Sequence, residues 1–510
     1  MYDRIETENT RGGADSTVAV YRRRTWPARP AVRVPESHVR AKRLWWAVVL
    51  TLVFSDVAFG SLLYGMAYYF SVFVGAEAVP RTTALTVSVF STSVWIGLRG
   101  LMGLYPGYGL SQAEELRRQT LSTLGTLLFT IITIYTLVFQ FGDLFPILAV
   151  VLNTLGRLLL APLWRYFVKL AMVKAGFWGK PVAILGAGET GSQIVRTLKD
   201  EWGLGFRPVA VFDYQLTEQG ALIEDVPYAG TVTDALAMAR KRGIDTAIFA
   251  MPHVRRKYIA GFVDKASDHF QHILVVPNVA GVISTAVRAR DLGSAFGLEI
   301  KQNLLKPWAR ITKRTLDIFG VAAGGVLISP LLLAIAILIK IDSPGPLFYA
   351  QRRLGTGGKY FCCWKFRTMH PDAQRLLTEL LQKDPSLRAE WKRDHKLRND
   401  PRITRVGRYL RKLSLDELPQ LWNVWRGQMS LVGPRPIIDE EVPRYRNAYA
   451  LYQRVAPGMS GLWQVSGRSE TSYEERVGMD TFYVRNWSVW LDIVILVRTV
   501  GAVLFSRGAV

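Results

Sequence analysis

Apolar positions fall into long unbroken runs in the N-terminal third of this 510-residue chain and into shorter, periodic segments beyond it. Four runs, at roughly 44–74, 82–103, 119–141 and 144–172, are each long enough to cross a hydrocarbon core of ~30 Å, which takes about 20 helical residues. Four in succession predict a transmembrane bundle rather than a set of buried core helices. The arm before them, 1–43, is polar and ends in a basic run from Arg22 to Arg43, too long and too charged for a simple cleaved signal peptide.

The pattern then changes period. "PVAILGAGETGSQIVRTL" is an apolar strand that turns into a helix through Gly186, Gly188 and Gly191, and Asp213 closes the next strand, "PVAVFD". With "TAIFAMP" and "HILVVPN" as further strands, a Rossmann-like α/β domain is predicted over 178–300. A tight turn and close helix packing account for the glycines equally well, so nucleotide binding at this loop is a separate claim from the fold.

Residues 317–340 hold 22 uncharged positions between Asp317 and Lys340. As a straight helix that is about 33 Å, enough to span. Spanning would carry "QRRLGTGGK" and "KLRNDPRITRVGRYLRK" outside, against the bias of lysine and arginine towards the cytoplasm. Proline at the midpoint, in Ser329–Pro330, removes a helix hydrogen bond. A re-entrant segment is therefore predicted, with Lys313, Arg314 and Lys340 on one side of the membrane and a kinked fifth span as its rival. The tail, "YVRNWSVWLDIVILVRTVGAVLF", is interrupted by Asp492 and Arg498 and reads as an amphipathic helix lying in the interface rather than crossing it, with a core helix as the alternative.

Charge sharpens the picture. The formal charge is +23 with 49% hydrophobic residues, which directs the chain to anionic partners; the apolar runs favour an acidic bilayer surface over nucleic acid. The basic arm, Arg117 and Arg118, and the trio Arg165, Lys169 and Lys174 place the N-terminus and both domains after the spans in the cytoplasm. The adjacent pair Cys362 and Cys363 makes an unlikely disulfide, and the six histidines form no zinc motif.

"SLDELPQLWN", 414–423, sets Asp416 beside Glu417 in a stretch crowded with cations. Pro419 suits the first turn of a helix, which puts the N-cap near Asp416 and aims the positive helix end at the carboxylates. Arg408, Arg411 and Lys412 precede the pair, "LVGPRP" with Arg435 and Pro436 follows it, and Lys365 and Arg367 are further phosphate-seeking positions. Each part has a plain structural reading; together they suggest phosphoryl transfer, with Mg²⁺ held by one or two carboxylates and a carboxylate as nucleophile on phosphorus.

"KRTLDI", "PGPLFYAQRRLGTGGKYFCCWKFRTM", "LRKLSLDELPQLWNVWRGQMSLVGPRP" and "APGMSGLWQVSGR" together resemble the bacterial sugar transferases, the monotopic phosphoglycosyl transferases, across about 308–510. The resemblance implies a two-step reaction: Asp416 takes hexose-1-phosphate from a UDP-hexose and hands it to undecaprenyl phosphate. Glu417 would help hold Mg²⁺ with Asp416, and Arg411 and Arg435 would bind phosphates. Lys313, Arg314 and Asp317 would anchor the re-entrant helix at the interface, with Ser329 and Pro330 as its break. Galactose is the expected sugar, glucose the second, and a homodimer in the bacterial inner membrane is the implied state. Two rivals stand outside this reading. A nucleotide-sugar dehydratase needs a tyrosine with lysine four residues on, which Tyr214, Tyr228 and Tyr258 lack; a non-catalytic assembly scaffold needs no Asp416.

Overall fold

In the computed structural model, residues 38–504 are described apart from 74–80, 139–144, 214–221, 243, 252–269, 277–286, 292–295, 301–303, 305, 384–387, 389–399 and 467–470. Most of the basic arm, with Tyr214 and Tyr258, thus lies outside the described residues.

Helices α1 (His38–Phe73), α2 (Arg81–Leu101), α3 (Gln112–Val138) and α4 (Phe145–Lys174) pack side by side. α1 and α3 each contact both α2 and α4. Trp95 is fully buried against Phe59, Leu63 and Ala161, while Phe54, Leu128, Leu159 and Phe167 face outward. Apolar groups outside and polar groups within suit an apolar solvent. Among the described residues, Lys42–Phe70, Ala84–Leu101 and Pro307–Asp342 are long and apolar enough to cross a membrane.

α3 begins seven residues earlier than its hydropathy indicates. Ser111 caps it by accepting from the Glu114 N–H at 3.3 Å, and a polar first turn carrying Glu114 and Glu115 favours a helix start while hiding it from hydropathy. Glu115 has a structural use: its Oε1 accepts Arg165 Nε at 2.7 Å and Lys169 Nζ at 2.5 Å. Arg165 and Lys169, read from sequence as cations at a cytoplasmic end, are therefore buried inside the bundle.

The middle domain holds a six-stranded sheet. Its strands are β1 (Lys180–Leu185), β2 (Phe206–Asp213), β3 (Leu222–Ile223), β4 (Val226–Thr231), β5 (Thr246–Phe249) and β6 (His272–Val275), in the order β3-β4-β2-β1-β5-β6. All neighbours are parallel except β3 against β4. α5 (Glu189–Asp200) covers one face through Val195 and Leu198, and α6 (Val232–Arg242) covers the other through Ala235 and Ala239. This is the expected doubly wound layout. Among the described residues the sheet ends at Val275, and β7 (Val287–Asp291) and β8 (Phe296–Ile300) form a separate antiparallel hairpin.

α7 (Pro307–Asp342) opens the C-terminal region as one helix of 36 residues. Its middle is bare, with Val326 and Leu327 strongly exposed, while both ends pack on the rest of the C-terminal region. Near the start, Arg314 donates to the Val424 and Trp425 carbonyls at 2.5 and 2.7 Å, and Asp317 accepts from the Leu431 N–H at 3.1 Å. At the far end, Ile335 and Ile339 pack with Phe366 and Leu410. Pro330 cannot bond the Val326 carbonyl, and the Ser329 hydroxyl donates to that carbonyl instead, at 2.8 Å. Beyond α7 come the hairpin β9 (Phe348–Leu354) and β10 (Tyr360–Phe366), α8 (Arg405–Lys412) and α9 (Gln420–Trp425). The parallel pair β11 (Ser430–Val432) and β12 (Gly458–Ser460) follows, then α10 (Tyr473–Asn486) and α11 (Val489–Leu504).

α11 corrects the reading of the tail. Asp492 does not face lipid headgroups; it is buried, and it accepts from Lys313 Nζ at 2.8 Å, the Tyr483 hydroxyl at 2.7 Å and Trp487 Nε1 at 3.0 Å. Ile495 is fully buried in the same cluster. The other side of α11 packs on α3, where Arg498 donates to Gln112 at 2.8 Å and lies 3.5 Å from Glu201 beyond α5.

Candidate active site

Asp416 and Glu417 sit on a one-turn helix, Leu415–Glu417, entered through Ser414 in the left-handed region at φ 55°. This differs from the expected N-cap at Asp416. Pro419 has no N–H to give the Leu415 carbonyl; the Leu418 N–H takes that acceptor at 3.3 Å, and α9 starts afresh with Pro419 as its cap. α9 is only six residues long, so the attraction for phosphate rests on side-chain cations rather than a helix dipole.

Those cations arrive from two directions. β10 carries Lys365, whose Nζ donates to Glu417 Oε1 at 2.6 Å. α8 carries Arg411, held by its Nε bond to the Thr368 hydroxyl at 2.8 Å. α8 can lie this close because Gly407 has no side chain; a Cβ there would strike the Thr368 carbonyl. Its start is capped by Thr404, which accepts from the Gly407 N–H at 3.0 Å. The turn before it is set by the buried pair Arg402 and Asp400 at 2.5 Å, which sequence reasoning missed. Burial, and then the neighbouring Glu417 charge, raise the Asp416 carboxyl above the usual aspartate range; Lys365 and Arg411 pull it back.

The register between acid pair and hairpin depends on Asn423, a second residue the sequence did not single out. It is fully buried; its Oδ1 accepts from the Trp364 N–H at 3.0 Å and its Nδ2 donates to the Cys362 carbonyl at 2.7 Å. Asn423→Ala is expected to leave both partly buried backbone groups without this partner and to cost about 1–3 kcal/mol. Thermal unfolding checks this, with UMP release falling in parallel because Lys365 loses its position.

Other expected residues lie elsewhere. Arg367 is buried and donates to the Pro344 and Ser343 carbonyls at 2.8 and 2.6 Å, so it ties β10 to the exit of α7 and does not face a phosphate. Arg435 is exposed, 5.7 Å from the Trp463 ring centre, and its charge is felt at Cys363 together with those of Lys365 and Glu417. Burial pushes the Cys363 thiol up to about 11, which leaves Asp416 without a competing thiolate. Pro436 is buried, its carbonyl 3.3 Å from Arg353 Nη1. Lys313, Arg314 and Asp317 tie α7 to α9, β11 and α11 through the bonds described above.

Among the described residues no three histidine, cysteine, aspartate or glutamate side chains converge to cage a metal. Two carboxylates, Asp416 and Glu417, would suffice only for an ion such as Mg²⁺, which keeps waters and takes substrate phosphate as further ligands. At the glycine loop, Gly186 has φ 126° and a Cβ there would lie 2.6 Å from the Ala250 carbonyl; a Cβ on Gly191 would strike the Gly186 carbonyl, and one on Gly188 would meet open space. The Ala187 N–H of that loop donates to Asp213 at 2.6 Å. The first and third glycines thus serve turn and packing.

Two families match the chain. The CoA-binding domain matches residues 104–277, and the bacterial sugar transferase matches 308–506, the region that holds the acid pair and its cations. The undecaprenyl-phosphate galactose phosphotransferase of Salmonella typhimurium is 39% identical over 69% of this chain and 74% of its own length. The UDP-glucose:undecaprenyl-phosphate glucose-1-phosphate transferase of Escherichia coli is 33% identical over 64% of this chain and 68% of its own. The exopolysaccharide production protein ExoY of Rhizobium meliloti is 45% identical over 43% of this chain and 97% of its own, the length of a C-terminal region alone. With the ordered motifs around Asp416 and a likeness that runs back into the middle domain, the chain belongs to the bacterial sugar transferase family of phosphotransferase enzymes.

Proposed function

We propose that this phosphotransferase moves hexose-1-phosphate, galactose-1-phosphate first and glucose-1-phosphate second, from a UDP-hexose to undecaprenyl phosphate. A carboxylate oxygen of Asp416 forms a bond to the sugar-bearing phosphorus, and the bond from that phosphorus to UMP breaks. A phosphate oxygen of undecaprenyl phosphate then attacks the same phosphorus and returns Asp416 as a free carboxylate. Arg411, Lys365 and Arg435 offset the charge of the two phosphates. Asp416 and Glu417 would hold Mg²⁺, whose chemistry is neutralisation of the diphosphate. The observation that carries this reading is a half-buried aspartate set between Lys365 and Arg411, in a family whose relatives are named for this transfer.

The membrane part of the proposal is a four-span bundle in the bacterial inner membrane, a re-entrant α7 and a catalytic region on the cytoplasmic face. Its support is that both ends of α7 pack on one body while the bare apolar middle projects from it. The product would start an exopolysaccharide, capsule or O-antigen chain, and a homodimer belongs to the same proposal.

The test is UMP release by membranes containing the chain, with Mg²⁺ and undecaprenyl phosphate. Lipid-dependent UMP, more from UDP-galactose than from UDP-glucose and lost on chelation, is expected; no lipid-dependent UMP from either donor overturns the reading. The pH profile gives a further check. Only ionised Asp416 can attack, so activity falls as pH drops through its raised pKa, and the acid limb should lie above the ordinary aspartate range. Lys365→Met removes a charge that holds this pKa down, and should move the acid limb to higher pH.

A further inference from the structure

The helix bundle carries more buried positive than negative charge. Arg99, Arg157, Arg165 and Lys169 are buried within it, facing two carboxylates. Asp56 lies 2.6 Å from Arg99 and 3.8 Å from Arg165, and Glu115 pairs with Arg165 and Lys169. Both are thus shared among three cations. Arg157, halfway along α4 and 2% exposed, has no carboxylate in ion-pair range among the described residues. Its Nη1 and Nη2 rest on the hydroxyls of Ser91 and Thr92, each at 3.2 Å, and its Nε has no partner. The Trp95 ring, 4.7 Å from Arg157 and 4.1 Å from Arg99, separates the two guanidiniums and offsets part of their charge.

Arg157 lines a small cavity, partly open to the exterior, together with Tyr64, Thr123, Thr126 and Asn153. Asn153 lies one turn before Arg157 on α4, on the same face, is buried, and its Nδ2 has no partner. The threonines spend their protons one turn back along α3: Thr126 on the Ser122 carbonyl at 2.8 Å and Thr123 on the Gln119 carbonyl at 2.9 Å. Two buried donors, Nε of Arg157 and Nδ2 of Asn153, are therefore left over beside one uncompensated charge. Buried charge in such a bundle is costly unless paired, and where it is retained it marks a site. A water would serve the donors but leave the charge; an anion serves both.

We infer that the cavity between α3 and α4 binds a small monovalent inorganic anion of halide size, held by Arg157 and Asn153. This site is separate from Asp416 and independent of the transfer proposed there.

The experiment is thermal unfolding of the full chain in lipid nanodiscs as sodium chloride replaces sodium gluconate at constant ionic strength. The midpoint is expected to rise and saturate with chloride, because binding to the folded state alone stabilises it. Bromide should act alike, and Arg157→Met should abolish the response. Asn153→Ala keeps the charge but loses a charge-assisted hydrogen bond, and should raise the half-saturating chloride concentration about tenfold. Equal midpoints in chloride and gluconate overturn the site, as does an undiminished response in Arg157→Met. If that variant does not fold, an unchanged chloride dependence in Asn153→Ala overturns it instead. UMP release in either salt reports on Asp416 alone and keeps the two inferences apart.

Discussion

Asp416→Asn is expected to lower lipid-dependent UMP release by about 10⁴-fold or more, the scale on which loss of a covalent nucleophile is felt. The amide is nearly isosteric, keeps the turn Leu415–Glu417 and leaves the bond from Lys365 to Glu417 in place. What it removes is the anionic oxygen that, in the proposed mechanism, bonds to phosphorus. Burial raises the pKa of this carboxyl, and a more basic oxyanion is also a better nucleophile once ionised. Lys365 and Arg411 keep enough of it ionised to react. UMP release by the variant, together with the failure of radiolabelled sugar phosphate to remain on the protein after denaturation, checks the result. Wild-type release from Asp416→Asn would instead favour the scaffold reading. Glu417→Gln should be milder, since it loses one metal ligand and the partner of Lys365 but no bond-forming atom.

The largest stability loss is expected from Asp492→Ala. Lys313 is buried and Asp492 is its close partner, at 2.8 Å, with the Tyr483 hydroxyl and the Trp487 indole N–H on the same carboxylate. Deleting the anion leaves the ammonium only Asp317, at 3.9 Å, and the Trp487 N–H without its acceptor, while the Tyr483 hydroxyl keeps the Val432 carbonyl at 2.9 Å; the cost should be about 3 kcal/mol, the lower end for removing one partner of a buried pair. A double variant, Lys313→Met with Asp492→Leu, removes that ion pair and should recover part of the loss, Asp317 keeping the Leu431 N–H as its donor. Unfolding midpoints of the two variants against wild type decide it. If the double variant is no better than the single, the cost lies in packing around Ile495 rather than in charge.

What could be read from sequence was whatever depends on near neighbours. Runs of apolar residues gave the four helices and α7; the alternation of strand, glycine turn and helix gave the sheet; the crowding of Asp416, Glu417, Arg411 and Lys365 pointed to the candidate site. Boundaries failed where polar residues begin a helix, as with Glu114 and Glu115 at the start of α3. The helix start at 414–423 slipped because proline withdraws one particular donor, and the Leu415 carbonyl then closes a tighter turn. Roles failed where the partner is distant in sequence. Arg367 reads as a phosphate ligand until the carbonyls at the exit of α7 claim it, and Asp492 reads as a polar break in an interfacial helix until Lys313, 179 positions away, is seen beside it. Asn423 gave no signal, since a single asparagine in a helix says nothing about which strand it bridges.

Arg498 gives α11 a reach beyond its own region. One guanidinium touches Gln112 on a helix of the bundle and Glu201 at the edge of the sheet domain, while six positions earlier Asp492 grips the base of α7. Three modules that the chain joins in series are thereby also joined in parallel, through a single helical strut. Cutting before Val489 would remove that strut, while the bundle and the sheet domain would still meet directly, where the Gly109 N–H donates to the Leu204 carbonyl at 2.7 Å and Tyr166 packs on Trp202. The last described helix thus joins the C-terminal region to the other two modules across space as well as along the chain.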